Sequence, residues 1–213
     1  MEHLEALINS GLFGELDKSS YITAYESLDI RHKDYKKSES VFHEGDIVTE
    51  LCIVDAGSVS AEKTYFNGNV HLVDIYNRNS FFAIEFLLSR KKTSDMDYFA
   101  NENCSVIFIS LESILNSPFR DELMTILIHT LTLFNIKMER KIDMLAEKSL
   151  RDKILMYLNL MSERNRSKEF NTRMTQEQFA QFLCVNRSAL SSELSKMKKD
   201  GIIDFKKDHF ILK

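Results

Sequence analysis

A chain of 213 residues, 44% hydrophobic and with a net charge of −4, is long enough to bury a sizeable core and suits one large domain or two small ones. The charge is unevenly spread: residues 150–213 hold 13 Lys/Arg against 8 Asp/Glu, whereas residues 1–149 hold 15 against 24. The acidic front part is unsuited to a polyanion, which leaves the basic tail as the electrostatically plausible nucleic-acid surface.

Leu4, Leu7, Ile8, Leu12 and Phe13 recur at helical spacing, broken by Gly11 and Gly14, and predict short helices. From about residue 40 the rhythm changes. Val41-Phe42, Leu51 to Val54 and Val59 read as short strands punctuated by Gly45 and Gly57. Asn67-Gly68, between Thr64-Tyr65-Phe66 and Val70 to Val73, predicts a hairpin whose two turn positions tolerate positive φ. Val106 to Ile109 supplies a late buried strand. Many short strands before residue 112 point to a closed or sandwich-like β-structure rather than a parallel sheet.

Pro118 then stands near the start of a long helical stretch, where its missing N–H does no harm. Leu127, Leu131, Phe134, Met138, Ile142 and Leu145 recur there at steps of three and four, an apolar stripe suited to pairing with a second copy. Ser149 to Asp152 has the spacing of a helix-starting capping box, so a hinge is expected at residues 146–149. The expected domains are residues 1–118, 119–147 and 148–213, the middle one the long helix.

Thr175-Gln176-Glu177-Gln178 is a second capping box, and Phe179, Ala180, Phe182 and Leu183 give its helix a buried face. Cys184-Val185 makes a tight turn and Asn186 is suited to an N-cap. Leu190, Leu194 and Met197 then turn inward, leaving Arg187, Ser188, Ser191, Ser192 and Ser195 outward. Small polar residues let a helix approach base edges and phosphates closely, and an arginine near its start can donate two hydrogen bonds to one base. Gly201 is placed to end that helix, and Ile202 to Phe205, the turn Lys206-Lys207-Asp208 and His209 to Leu212 predict a basic wing. Lys196, Lys198, Lys199, Lys206 and Lys207 suit phosphates.

This order of parts resembles the CRP/FNR (cyclic-AMP receptor protein / fumarate-nitrate regulator) family of bacterial transcription regulators over nearly the whole chain. The matching stretches are Val41 to Asp46 with Ile53 to Gly57, Ala100 to Ile109, and Thr175 to Leu212, where Asn186-Arg187-Ser188-Ala189-Leu190 stands at the recognition-helix position. The resemblance implies an α+β chain: an N-terminal double-stranded β-helix, a long dimerisation helix and a C-terminal winged helix-turn-helix. It also implies a homodimer on a palindromic double-stranded operator, with RNA polymerase as a further partner. Ser188 and Ser192 replace residues with which many members contact DNA, so a different operator is expected, and Cys184 replaces the usual turn glycine at a small steric cost.

Members that bind cyclic nucleotides carry a glycine-glutamate and an arginine-serine pair, and at those positions the resemblance puts Ala83-Ile84, with Glu85 one place late, and Ser94-Asp95. A carboxylate at the phosphate position repels a phosphodiester, so the effector is expected not to be cyclic AMP. A family-type effector cavity would involve Phe82, Glu85, Tyr98, Thr130 and Phe134. Cys52, Cys104 and Cys184 are odd in number and far apart, which argues against disulfides, fits a reducing cytoplasm and cannot ligate an iron-sulfur cluster within one chain. Neither a transmembrane run nor a secretory leader is recognisable, and no cofactor is identified. Two competing readings are a ligand-binding adaptor that has lost DNA binding and a cupin-like metalloenzyme. The second needs histidines and a carboxylate converging on one metal, and the sequence offers no closely spaced histidine pair.

Overall fold

Between residues 30 and 110 the chain forms short strands of two to eight residues, repeatedly cut by turns. The computed structural model describes residues 3–213. Helices α1 (Leu4–Ser10) and α2 (Tyr21–Glu26) come first, followed by strands β1 (Ile30–Tyr35), β2 (Ser40–Phe42), β3 (Glu50–Ala56), β4 (Ser58–Thr64), β5 (Val70–Asn77) and β6 (Phe81–Phe82). Helix α3 (Ile84–Leu87), strands β7 (Asp97–Ala100) and β8 (Cys104–Ser110), α4 (Leu111–Asn116) and the long α5 (Arg120–Ala146) follow. The chain ends with α6 (Leu150–Asn165), β9 (Glu169–Asn171), α7 (Gln176–Phe182), α8 (Arg187–Lys199), β10 (Ile203–Lys206) and β11 (His209–Leu212). Among the described residues no helix is long and apolar enough to cross a membrane.

The chain divides into two compact units, residues 1–66 with 73–135 and residues 67–72 with 136–213. The first is built on two four-stranded sheets in the orders β1-β8-β3-β6 and β2-β7-β4-β5. The β1-β8, β3-β8, β3-β6, β2-β7 and β4-β7 pairings are antiparallel, the sandwich-like arrangement that the strand spacing predicted. Val106, Ile107, Phe108 and Ile109 are fully buried in the central strand β8, flanked by equally buried Leu51 to Val54 of β3. Strand β1 escaped the sequence reading because Arg31, His32, Lys33 and Asp34 carry no apolar alternation, yet it pairs with β8 along six residues. It is an edge strand, where charge is protective rather than disruptive. Gly57 is obligatory between β3 and β4: its φ is +74°, and a Cβ there would lie 2.6 Å from the Asn103 carbonyl oxygen.

The hairpin at Asn67-Gly68 differs from expectation. Strand β4 stops at Thr64, so the connection is a loop of residues 65–69 in which Gly68 alone takes positive φ. The Asn67 carboxamide instead accepts the Asn69 N–H at 3.0 Å, and Phe66, fully exposed, has nothing to pack on that would extend the ladder.

In the second unit α6, α7 and α8 pack with a three-stranded sheet in the order β10-β11-β9. The wing turn is tighter than predicted, two residues rather than three, since Lys206 pairs with His209. Lys207 takes φ +58° to close it. Strand β9, read as part of no element in the sequence, pairs Phe170 with Phe210. Ser149 caps α6 as expected, accepting the Asp152 N–H at 3.1 Å.

Candidate nucleic-acid interface

Local chemistry positions α7 and α8 independently of any ligand. The Thr175 hydroxyl accepts the Gln178 N–H at 3.2 Å while the Gln178 carboxamide accepts the Thr175 N–H at 3.0 Å, the complete capping box. Phe179 and Phe182 lie against Tyr157 of α6 with ring centroids 4.9 and 5.4 Å away, and Phe179 also meets Phe210 of the wing. Leu190, Leu194 and Met197 are wholly buried on the inner side of α8. Arg151 of α6 reaches Glu193 at 2.6 Å and Asp200 at 2.8 Å, tying the middle and the C-terminal end of α8 to α6. The helix stops at Gly201, φ +74°, where the Gly201 N–H bonds the Lys198 carbonyl and the Ile202 N–H bonds that of Met197, a Schellman ending.

The opposite side of α8 is open. Arg187, Ser188, Ser192, Ser195, Lys196 and Lys199 are exposed and Ser191 is half-buried. Thr175 and Asn186 are exposed, Gln176 is half-buried, and Lys206 and Lys207 stand exposed at the wing tip. Asn186 occupies the N-cap position of α8 but its side chain makes no capping bond, so the sequence reading was right about the position and wrong about the bond. Ser195 donates to the Ser191 carbonyl at 2.8 Å, leaving its lone pairs outward. Lys198 is corrected: its ammonium sits 2.5 Å from the Asp204 carboxylate, which holds that carboxyl below its ordinary range, and it points to the wing root rather than to a phosphate.

Arg173, Met174, Thr175, Gln176, Arg187, Lys207 and Asp208 line one cleft of about 490 Å³. The sequence reading missed Arg173, which the structure brings beside Arg187 and Lys207. Its one sequence signal was a cation two residues before a capping threonine. The turn between α7 and α8 confirms strain at Cys184, whose φ is +56°. Its thiol is exposed, 3.6 Å from the His71 ring nitrogen within the same unit.

In the first unit Phe82, Tyr98 and Tyr76 form one aromatic group, with the Phe82 and Tyr98 centroids 5.4 Å apart. The Tyr98 hydroxyl donates to Glu85 at 3.1 Å. Burial raises the Glu85 carboxyl above its ordinary range, more than the Tyr98 bond lowers it. The second Glu85 oxygen and the Tyr76 hydroxyl are buried with no hydrogen-bond partner among the described residues. Thr130 and Phe134, named for the same cavity, lie half-buried on α5, and the hydrogen bond and ring contacts of this group are made without them. Ser94 spends its hydroxyl on the Met96 carbonyl at 2.6 Å, and Asp95 pairs with Lys63 at 2.8 Å. Cys52 and Cys104 are buried, and burial pushes the Cys104 thiol up to about 11 and Cys52 well above its usual value, so both stay protonated.

His3 and His32, distant in sequence, are stacked at 4.5 Å and both approach Asp55.

Residues 32–117 match the family model described as the cyclic nucleotide-binding domain, and residues 152–213 match the Crp-like helix-turn-helix domain. The comparison with curated proteins finds no match. Among solved structures, FixK2 from Bradyrhizobium japonicum superposes with a TM-score of 0.74 at 17% identity, over 87% of this chain and 93% of its own. The c-di-GMP responsive global regulator CLP from Xanthomonas campestris gives 0.71 at 18% identity, over 92% and 99%. CooA from Carboxydothermus hydrogenoformans, in a mutant form, gives 0.66 at 16% identity, over 88% and 84%. With a cyclic nucleotide-binding domain followed by a Crp-like helix-turn-helix, the two spanning just over two thirds of its length, the chain belongs to the CRP/FNR family of transcription regulators.

Proposed function

We propose that the chain is a homodimeric, sequence-specific DNA-binding regulator whose effector is not cyclic AMP. The observation that carries the DNA reading is the face of α8: serines and cations outward, all its large apolar residues buried, and a cationic cleft at its start. Arg187 is assigned to a guanine edge, Asn186, Ser188, Ser191, Ser192 and Ser195 to close approach, and Thr175, Gln176, Lys196, Lys199, Lys206 and Lys207 to phosphates, with Arg173 added. Such a regulator works where the chromosome and RNA polymerase are, in the cytoplasm, and nothing in the site calls for catalysis.

The homodimer reading rests on α5, but on a face shifted from the sequence assignment. Leu127 is fully buried in the chain's own core and Leu131 packs partly against it. Ile128 and Ile142 are 56% and 66% exposed. Ile128, Asn135 and Ile142 recur every seventh residue, and Leu131, Met138 and Leu145 recur likewise three positions on, the two-position seam of a paired helix. Phe134, half-buried, lies beside that seam.

The effector reading rests on Ser94 and Asp95. At the place where a phosphodiester would sit stands a carboxylate already paired with Lys63 and a serine whose hydroxyl is spent. The buried Glu85 oxygen instead suits a ligand group that donates a hydrogen bond, and the Tyr76 hydroxyl one that accepts.

Selection of the full chain on random duplexes tests the function. An enriched two-fold symmetric site, bound with a log affinity that falls about 0.9 per phosphate contact for each decade of salt, is expected. Arg173→Ala and Lys207→Ala should flatten that slope equally on all sequences, and the absence of any enriched sequence refutes the reading.

A further inference from the structure

Two histidines and a carboxylate meet on the outer side of the β1-β8-β3 sheet by a route that backbone geometry dictates. His32 of β1 and Ile53 of β3 both lie opposite Ile107 of β8, so they flank the same central residue. The β3 register then shifts between Val54 and Ala56, which makes Asp55 the extra residue of a bulge and re-aims its side chain. His3 precedes α1, its carbonyl accepting the Leu7 N–H at 3.1 Å, and Ala6 and Leu7 of that helix are buried in the same core. The His3 Nδ1 and His32 Nε2 atoms lie 3.8 and 3.5 Å from one oxygen of Asp55. The imidazole planes are inclined by only 14°.

We propose that His3, His32 and Asp55 form a binding site for a borderline divalent transition cation of the zinc type. All three donor atoms lie within 4.8 Å of one another. Ligands at about 2.0–2.2 Å in a tetrahedral shell stand about 3.4 Å apart, so the donor atoms need draw in by little, but the stacked imidazoles must turn out of their parallel arrangement for both in-plane lone pairs to meet the ion. Two imidazoles and one carboxylate select such an ion over calcium or magnesium, which prefer all-oxygen shells, and leave a fourth position for water. His3 and Asp55 are half-buried and His32 stands at the surface with its side chain 28% exposed, and the three come from the start of α1, β1 and β3. A bound ion therefore fastens the N-terminal helix to two strands of the sheet, and its affinity reports on how that helix is seated.

The test is zinc alone, competed against a chromophoric chelator of micromolar affinity, on full-length protein stripped with EDTA and desalted. One ion per chain is expected, with affinity lowered at least tenfold in His32→Ala and in Asp55→Asn and unchanged in Cys184→Ser. Retention of no zinc, or loss in Cys184→Ser with His32→Ala unaffected, overturns the site. Should either variant misfold, cobalt loading of the wild type decides: a nitrogen-oxygen visible spectrum supports the site, and a thiolate charge-transfer band refutes it. The zinc titration is read without DNA, and none of the three residues lies in the DNA-binding unit, so its failure leaves the DNA-binding reading standing.

Discussion

The Arg187 guanidinium lies 3.8 Å from the Glu177 carboxylate, across the turn between α7 and α8, with both side chains more than half exposed. A pair so open contributes little to stability and holds the arginine only loosely. Glu177→Gln should therefore leave the thermal midpoint unchanged while raising DNA affinity a few-fold at low salt, an advantage that fades toward about 0.15 M salt as screening takes over. Fluorescence anisotropy over a salt series measures it, and weaker binding in the variant would contradict the assignment of Arg187 to the duplex.

Cys184 occupies left-handed backbone with φ +56°, where glycine is at ease. Relief of that strain is worth about 1–2 kcal/mol, against about 0.5–1 kcal/mol of added chain entropy in the unfolded state. Cys184→Gly should thus raise the stability of the DNA-binding unit by about 0.5–1 kcal/mol in urea unfolding. An unchanged or lowered midpoint would show that the 3.6 Å thiol contact with His71 matters more than the backbone does.

Leu127 and Ile142, both apolar and both on α5, are predicted to respond to mutation in different ways. Leu127 is wholly buried in its own chain, so Leu127→Ala should cost about 2–5 kcal/mol of folding stability. Ile142 is 66% exposed, so Ile142→Glu should leave the fold intact and convert a dimer to a monomer in sedimentation equilibrium. A monomeric wild type, or a variant that stays dimeric, would remove α5 as the seam.

Burial raises the folded-state value of Glu85 above its ordinary 4.5. Below that ordinary value both states are protonated and the contribution of the neutral, buried carboxyl is fully present. As pH rises the unfolded chain ionises first, so stability declines until the raised folded value is passed. Urea midpoints from pH 4 to pH 8 should therefore fall in the wild type relative to Glu85→Gln, and parallel curves would place Glu85 in contact with solvent.

Much of the DNA-binding unit was legible in the sequence because its signals are local. A capping box, an apolar face at steps of three and four and a glycine stop each act over a few residues, and each formed as written at Thr175, Leu190 and Gly201. What failed depended on partners that only folding brings together. Lys198 looks like its neighbours until Asp204 is folded beneath it, and Arg173 joins Arg187 and Lys207 only when the wing turns back. The charged strand β1 has no pattern of its own, since its place is set by pairing with β8. The approach of His3, His32 and Asp55 depends on that same pairing and on a bulge with no composition signal. On α5 the helix was evident, but which side faced the core was not, because Leu127 and Ile128 are equally apolar and only the packing of the first unit distinguishes them.

The central claim is that Arg187, on the polar side of α8, reads a base edge in the major groove. It is tested most directly by replacing each guanine of the selected operator with 7-deazaguanine and comparing wild type with Arg187→Ala. One guanine per half-site should cost the wild type about 1–3 kcal/mol and cost the variant nothing. Equal losses in both proteins at every guanine would contradict it.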